Sequence, residues 1–173
     1  MHGIAWWPTL AVLLVATITD LRNRRIPNVL VVPFLLGGLV ISLATQGLAG
    51  LGQSALGFLV GALATGFFYV LGGMGMGDVK LCAAIGAWVG PQQMLLALVA
   101  IGLAGGVLAL AWAASTGTLM QSLASTGNLL AGFRKSGLRP QPKYNLKNAG
   151  ARSLPYAPAI AVGTIFSFFM TGG

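Results

Sequence analysis

The sequence carries two acidic side chains, Asp20 and Asp78, and no glutamate, against ten lysines and arginines. Two carboxylates brought together can share one proton, because like charges at close range cannot both ionise cheaply. The ionised member then takes a proton from water while the protonated member polarises a carbonyl, which is the chemistry of aspartic peptide hydrolysis. Such a pair titrates as a unit. Other catalytic sets are poorly supplied. Cys82 is the single cysteine and His2 the single histidine, at the chain's start, so neither a Cys–His pair nor a metal or cofactor cluster is expected. A serine with Lys80 as base has no supporting motif. The plainer reading makes the aspartates loop residues bridging Arg22, Arg25 or Lys80, but a chain of ten cations built for bridging should carry more than two partners.

The elements that must position these acids are hydrophobic. The 173 residues are 56% hydrophobic and 7% charged, where soluble domains carry about 25% charged residues. Apolar stretches long enough to cross a bilayer recur throughout. The pattern predicts an all-α polytopic membrane protein, one domain over residues 1–173, with six transmembrane helices. These run from about Ile4 to Thr19, Val29 to Ala44, Ser54 to Leu71, Asp78 to Val89, Gln92 to Ala114 and Leu154 to Met170. No basic residue precedes the first stretch, which fits a retained helix better than a cleaved signal peptide.

Charge sets the expected orientation. Arg22, Arg24 and Arg25 fall between helices one and two, Lys80 falls at the break before helix four, and the other six basic residues lie between helices five and six. With six spans all ten lie on one side, and the uncharged connections lie on the other. The positive-inside bias puts the basic side in the cytoplasm and both termini outside. The net charge of +8 then reports orientation and contact with anionic lipid, with no nucleic acid implied. Residues 115–153 are the one long polar stretch, read as a cytoplasmic connection with an amphipathic helix on the membrane surface or a substrate-docking segment. Gly57 with Gly61, and Gly102 with Gly106, suit close helix packing or a dimer interface. Trp6, Trp7 and Trp112 suit an interfacial aromatic belt.

Both acids fall at the cytoplasmic edge, Asp20 closing helix one and Asp78 opening helix four. Ionisable groups beside a hydrocarbon core are costly and mark function. Gly75 and Gly77 have no side chains, which permits a tight turn and lets a substrate strand approach Asp78. The helix dipoles bias Asp78 toward the ionised form and Asp20 toward the protonated form, against its neighbouring arginines. Pro27 and Asn28 set how the chain re-enters the membrane, with Asn28 hydrogen-bonding near Asp20 or serving only the turn. Lys80 either tunes the pair or faces lipid headgroups.

Asp20-Leu21-Arg22-Asn23-Arg24-Arg25-Ile26-Pro27-Asn28 resembles the first aspartate motif of the type IV prepilin peptidase family, and Gly75-Met76-Gly77-Asp78-Val79-Lys80-Leu81 resembles its second, of GxGD type. Leu154-Pro155-Tyr156-Ala157-Pro158-Ala159-Ile160-Ala161 is similar to the family's proline-containing stretch. The resemblance implies a multi-pass bacterial inner-membrane peptidase that cleaves the basic leader from pilin-like precursors at the cytoplasmic face, with Asp20 and Asp78 catalytic and no cofactor. Longer members carry a cysteine-containing cytoplasmic region and methylate the new N-terminus. This chain has no cysteine pair and opens at its first helix, so no methyltransferase region is expected, and it looks most like the short peptidases of tight-adherence (Flp) pili. Archaeal preflagellin peptidases share the motifs. Two readings of other classes stand beside these: a proton- or cation-coupled transporter, whose site would usually lie nearer the midplane, and a non-catalytic assembly factor. A signal-peptide-peptidase type would need a tyrosine–aspartate pair that the sequence lacks. The sequence sets no oligomeric state.

Overall fold

The structure is a computed structural model that describes residues 2–71, 74–115 and 156–170, so most of the polar stretch expected at 115–153 lies outside the described residues. Among those described the fold is all-helical: α1 (His2–Asn23), α2 (Asn28–Val70), α3 (Met76–Val89), α4 (Pro91–Ser115) and α5 (Ala157–Met170). Two helices, over Asn28–Val70 and Pro91–Ala111, are long and apolar enough to cross a membrane, and α5 is a shorter apolar helix. The burial pattern suits lipid. Large apolar side chains such as Leu14, Val40, Leu63, Val99, Leu103 and Phe169 point outward, while Ala, Ser and Thr at positions 16, 42, 54, 65, 84, 97, 164 and 167 fill the interior. Without a hydrophobic force between helices, small residues that let backbones approach hold such a bundle together.

The second and third predicted spans form one 43-residue run, and the connection expected at 45–53 is helical save at Gly47. Its φ of 64° and ψ of −151° break the helix where a residue with a Cβ would be strained. The contacts show that the two halves run antiparallel. α3 lies parallel to the first half, with Lys80 against Asn28 and Trp88 stacked on Phe34 at 5.2 Å. It lies antiparallel to the second half, where Cys82 meets Gly61 and Gly86 meets Gly57. Ser54 Oγ donates to Ala87 O at 2.6 Å, and Trp88 Nε1 donates to Phe34 O at 2.6 Å, tying α3 to both arms. At the fold of the hairpin Ser42 Oγ donates to Gly50 O at 3.0 Å. α2 is therefore two arms of a hairpin around α3.

α1 and α5 are also antiparallel, with Trp6 edge-on to Phe168 at 4.7 Å at one end and Asp20 bound to the Ala157 amide at the other. α5 packs back along α4 through Gly163 against Ile101, and Gly105 against Tyr156. Trp7 is exposed, as an interfacial ring would be, and the Trp112 side chain lies outside the described residues.

The expected glycine seams divide. Gly57 and Gly61 do pack backbone to backbone on α3, whereas Gly102 and Gly106 meet nothing within 4 Å. On α4 the packing glycine is Gly105, one face round from the pair that the four-residue spacing picks out. The same substitution should then act in opposite senses. Gly57→Ala or Gly86→Ala drives a methyl into the facing backbone, costing about 1–3 kcal/mol and lowering the thermal midpoint in detergent by roughly 3–10 °C. Gly102→Ala or Gly106→Ala should leave the midpoint unchanged or raise it slightly, because alanine is the better helix former by about 1 kcal/mol. A thermal unfolding scan of the four variants checks this.

Candidate active site

The carboxylates arrive at one end of the bundle on different helices. α1 extends past its expected end at Thr19, so Asp20 lies in its last turn and does not close it. Arg24 stops the helix: its φ of 51° is left-handed, and its amide donates to Asp20 O at 2.8 Å. Pro27 follows as the residue capping α2, at φ −71° and ψ 136°, and its carbonyl accepts from Leu30 and Val31 at 3.1 and 3.4 Å. The segment that resembles a first aspartate motif is thus a helix end, a sharp reversal and a helix start.

Asp78 sits three residues past Gly75, which caps α3 in an extended conformation (φ −79°, ψ 149°). The Gly75 amide donates to Asp78 Oδ2 at 3.2 Å, the acid half of a capping box. Gly75 therefore adopts no conformation reserved for glycine, contrary to the tight turn expected of it. Its lack of a side chain matters for space instead, since a Cβ there would sit 3.0 Å from Asp78 Oδ2. At Gly77 a Cβ would lie 3.3 Å from the Cβ of Ile26, so this glycine admits the α1–α2 turn. The two motif segments touch at that point.

Both carboxyl groups are buried, with Asp20 7% and Asp78 8% exposed, and they lie close enough to act on each other electrostatically. Asp20 Oδ2 accepts from the Ala157 amide at 3.1 Å, at the start of α5. Each acid is thus held by a backbone N–H, and among the described residues neither forms an ion pair. The salt-bridging reading finds no support at Arg22, Arg24, Arg25 or Lys80, all of which are exposed. Asn28, expected near Asp20 or in a plain turn, accepts from Lys80 Nζ at 3.1 Å through its Oδ1. Pro27, Asn28, Gly75, Gly77 and Lys80 are therefore all brought to the aspartate end. Beside them a cavity of about 390 Å³ is lined by Thr19, Asn23, Arg25, Ile26, Pro27 and Asn28. Among the described residues no three metal-ligating side chains gather.

Sequence reasoning missed the Ala157 amide and Tyr156. The first is a main-chain donor and leaves no mark in residue types. The second stands in the proline-containing stretch and lies within electrostatic reach of Asp78.

Residues 7–110 match the type IV leader peptidase family. A prepilin leader peptidase/N-methyltransferase of Aeromonas hydrophila is 38% identical over 112 residues, covering 57% of this chain and 38% of that protein. Enzymes of the same description from Pectobacterium carotovorum subsp. carotovorum and Bacillus subtilis (strain 168) are 28% and 31% identical, covering 99% and 92% of this chain. The chain spans about half of those two relatives, 54% and 52% of their length. No solved structure matches. The chain belongs to the type IV leader peptidase family.

The contact between the two motif segments is directly testable. In a Cys82→Ala background, Ile26→Cys with Gly77→Cys places two Cβ atoms 3.3 Å apart, a few tenths of an ångström short of the roughly 3.5–4.5 Å that a disulfide spans. Mild oxidation in membranes should protect both thiols from maleimide. Ile26→Cys paired with Gly102→Cys should stay reactive, as Gly102 meets nothing within 4 Å.

Proposed function

We propose that the chain is an aspartic prepilin leader peptidase, cutting the leader from pilin-like precursors at the cytoplasmic face of the bacterial inner membrane. The observation that carries this reading is the fate of the two acids. They are the only acidic side chains in the sequence; both are buried at one end, in electrostatic reach of each other, and bound by backbone amides, with no cation on either among the described residues. A purely structural acid in so basic a chain would pair with arginine or lysine. Family membership and the names of the relatives agree with it.

In this reading the chain crosses the membrane six times, the two arms of α2 counting as separate spans. The described cations cluster at the aspartate end, which suits a cytoplasmic site under the positive-inside bias. The dyad holds one proton. Its ionised member draws a proton from a water that attacks the scissile carbonyl, and its protonated member polarises that carbonyl and then protonates the departing amine. The cavity at the α1–α2 turn gives an extended substrate strand room beside Thr19, Asn23 and Ile26, at the aspartate end of the bundle. A preflagellin peptidase would use the same dyad and differ in substrate. A transporter is less well served, since both acids lie at one end and not halfway along the helices.

Cleavage of a panel of pilin-like precursors in membranes tests the reading. Asp20→Asn and Asp78→Asn preserve size, and each should lower processing by at least about 10²–10⁴-fold, with membrane insertion unchanged. Cleavage at the native rate by either variant would remove the dyad. Initial rates against pH should form a bell. The acid limb falls as the pair takes up a second proton and loses its base, and the alkaline limb falls as it gives up the shared proton and loses its acid. A rate flat from acid to neutral pH would contradict a shared proton.

A further inference from the structure

We propose that Tyr156 is a third catalytic group, whose phenolic hydroxyl donates a hydrogen bond to the scissile carbonyl oxygen as negative charge develops there. The inference rests on the peptidase reading above. Tyr156 stands where both acids are reached from one short segment. The amide directly after it, that of Ala157, donates to Asp20 Oδ2 at 3.1 Å, while its side chain lies in electrostatic reach of Asp78. Its backbone is fixed, because its carbonyl accepts from the Ile160 amide at 3.0 Å and so begins α5.

The ring has a prepared seat. A Cβ at Gly105 of α4 would lie 3.2 Å from Tyr156 Cε1 and 3.8 Å from Cδ1, so the glycine forms a notch that receives the ring edge. The hydroxyl makes no hydrogen bond among the described residues, although the residue is only partly exposed. A half-buried phenol usually finds a partner, and a donor with none among the described residues, in electrostatic reach of Asp78, is available to a substrate. A tyrosine phenol keeps its proton at the pH where a carboxylate pair works. It supplies a hydrogen bond without taking part in the proton exchange of the dyad, so no bond to Tyr156 forms or breaks. Cys82 also lies near Asp78, but it is fully buried in the interior and cannot reach a substrate.

The test uses the full chain in detergent and a precursor peptide that the native protein cuts. Tyr156→Phe keeps the ring in its notch and deletes the hydroxyl alone. It should lower kcat by about 10²-fold, in the range found for a lost oxyanion donor, with KM within about threefold, the thermal midpoint unchanged and the bell-shaped pH profile retained. Gly105→Ala pushes on the ring. It should slow the native protein but add little to the loss in Tyr156→Phe, the non-additivity expected when two changes act through one group. A kcat within about twofold of native in Tyr156→Phe, a loss confined to KM, or a loss matched by a fallen midpoint would each overturn the assignment. If the native chain cuts no precursor, it is the peptidase reading that fails.

Discussion

Two carboxylates are taken out of water at the end of an apolar bundle, and most of the surrounding structure follows from the need to make that tolerable. An ionised carboxylate moved into a medium of low dielectric costs many kcal/mol unless hydrogen bonds or charges offset it. Here the offset comes from the main chain: the Gly75 amide for Asp78 and the Ala157 amide for Asp20. Backbone donors are fixed by helix starts. They keep their positions whatever the pH, and among the described residues no arginine imposes its strong, permanent pairing on either carboxylate. The proton exchange proposed for the pair is better served by such partners than by salt bridges.

That requirement sets the architecture. Two helix starts and one helix end must converge, so α3 and α5 point their N-termini at the place where α1 finishes. The left-handed Arg24 and extended Pro27 return the chain within a few residues, and the bare Gly77 lets that return touch α3. The Lys80–Asn28 bond fastens α3 to the start of α2 on the outside of the same junction. Farther down, Gly57 and Gly86 hold α3 against the second arm of α2 so closely that the depth of Asp78 is set by backbone contact.

Much of this was legible in the residues. Long apolar stretches gave the helices to within a few positions, and the scarcity of acids singled out Asp20 and Asp78. Less visible was anything that depends on which face of a helix meets which neighbour. Helices that are apolar all round show no buried stripe, so glycine spacing alone favoured Gly102 and Gly106 while the contact is made at Gly105. The sequence predicts a connection over 45–53, whereas the chain is helical there save at Gly47. The Asn28–Lys80 bond joins residues 52 positions apart, and no local pattern announces it.

The bond between Asp20 and Ala157 has a consequence for how the protein is made. The two residues are 137 positions apart, so Asp20 emerges with α1 while its partner arrives only with α5. Until α5 is inserted, that carboxylate has no fixed donor and α1 lacks the helix it lies against. Assembly of the site thus waits on α5, and a chain released before it would hold both aspartates without the amide that fixes Asp20.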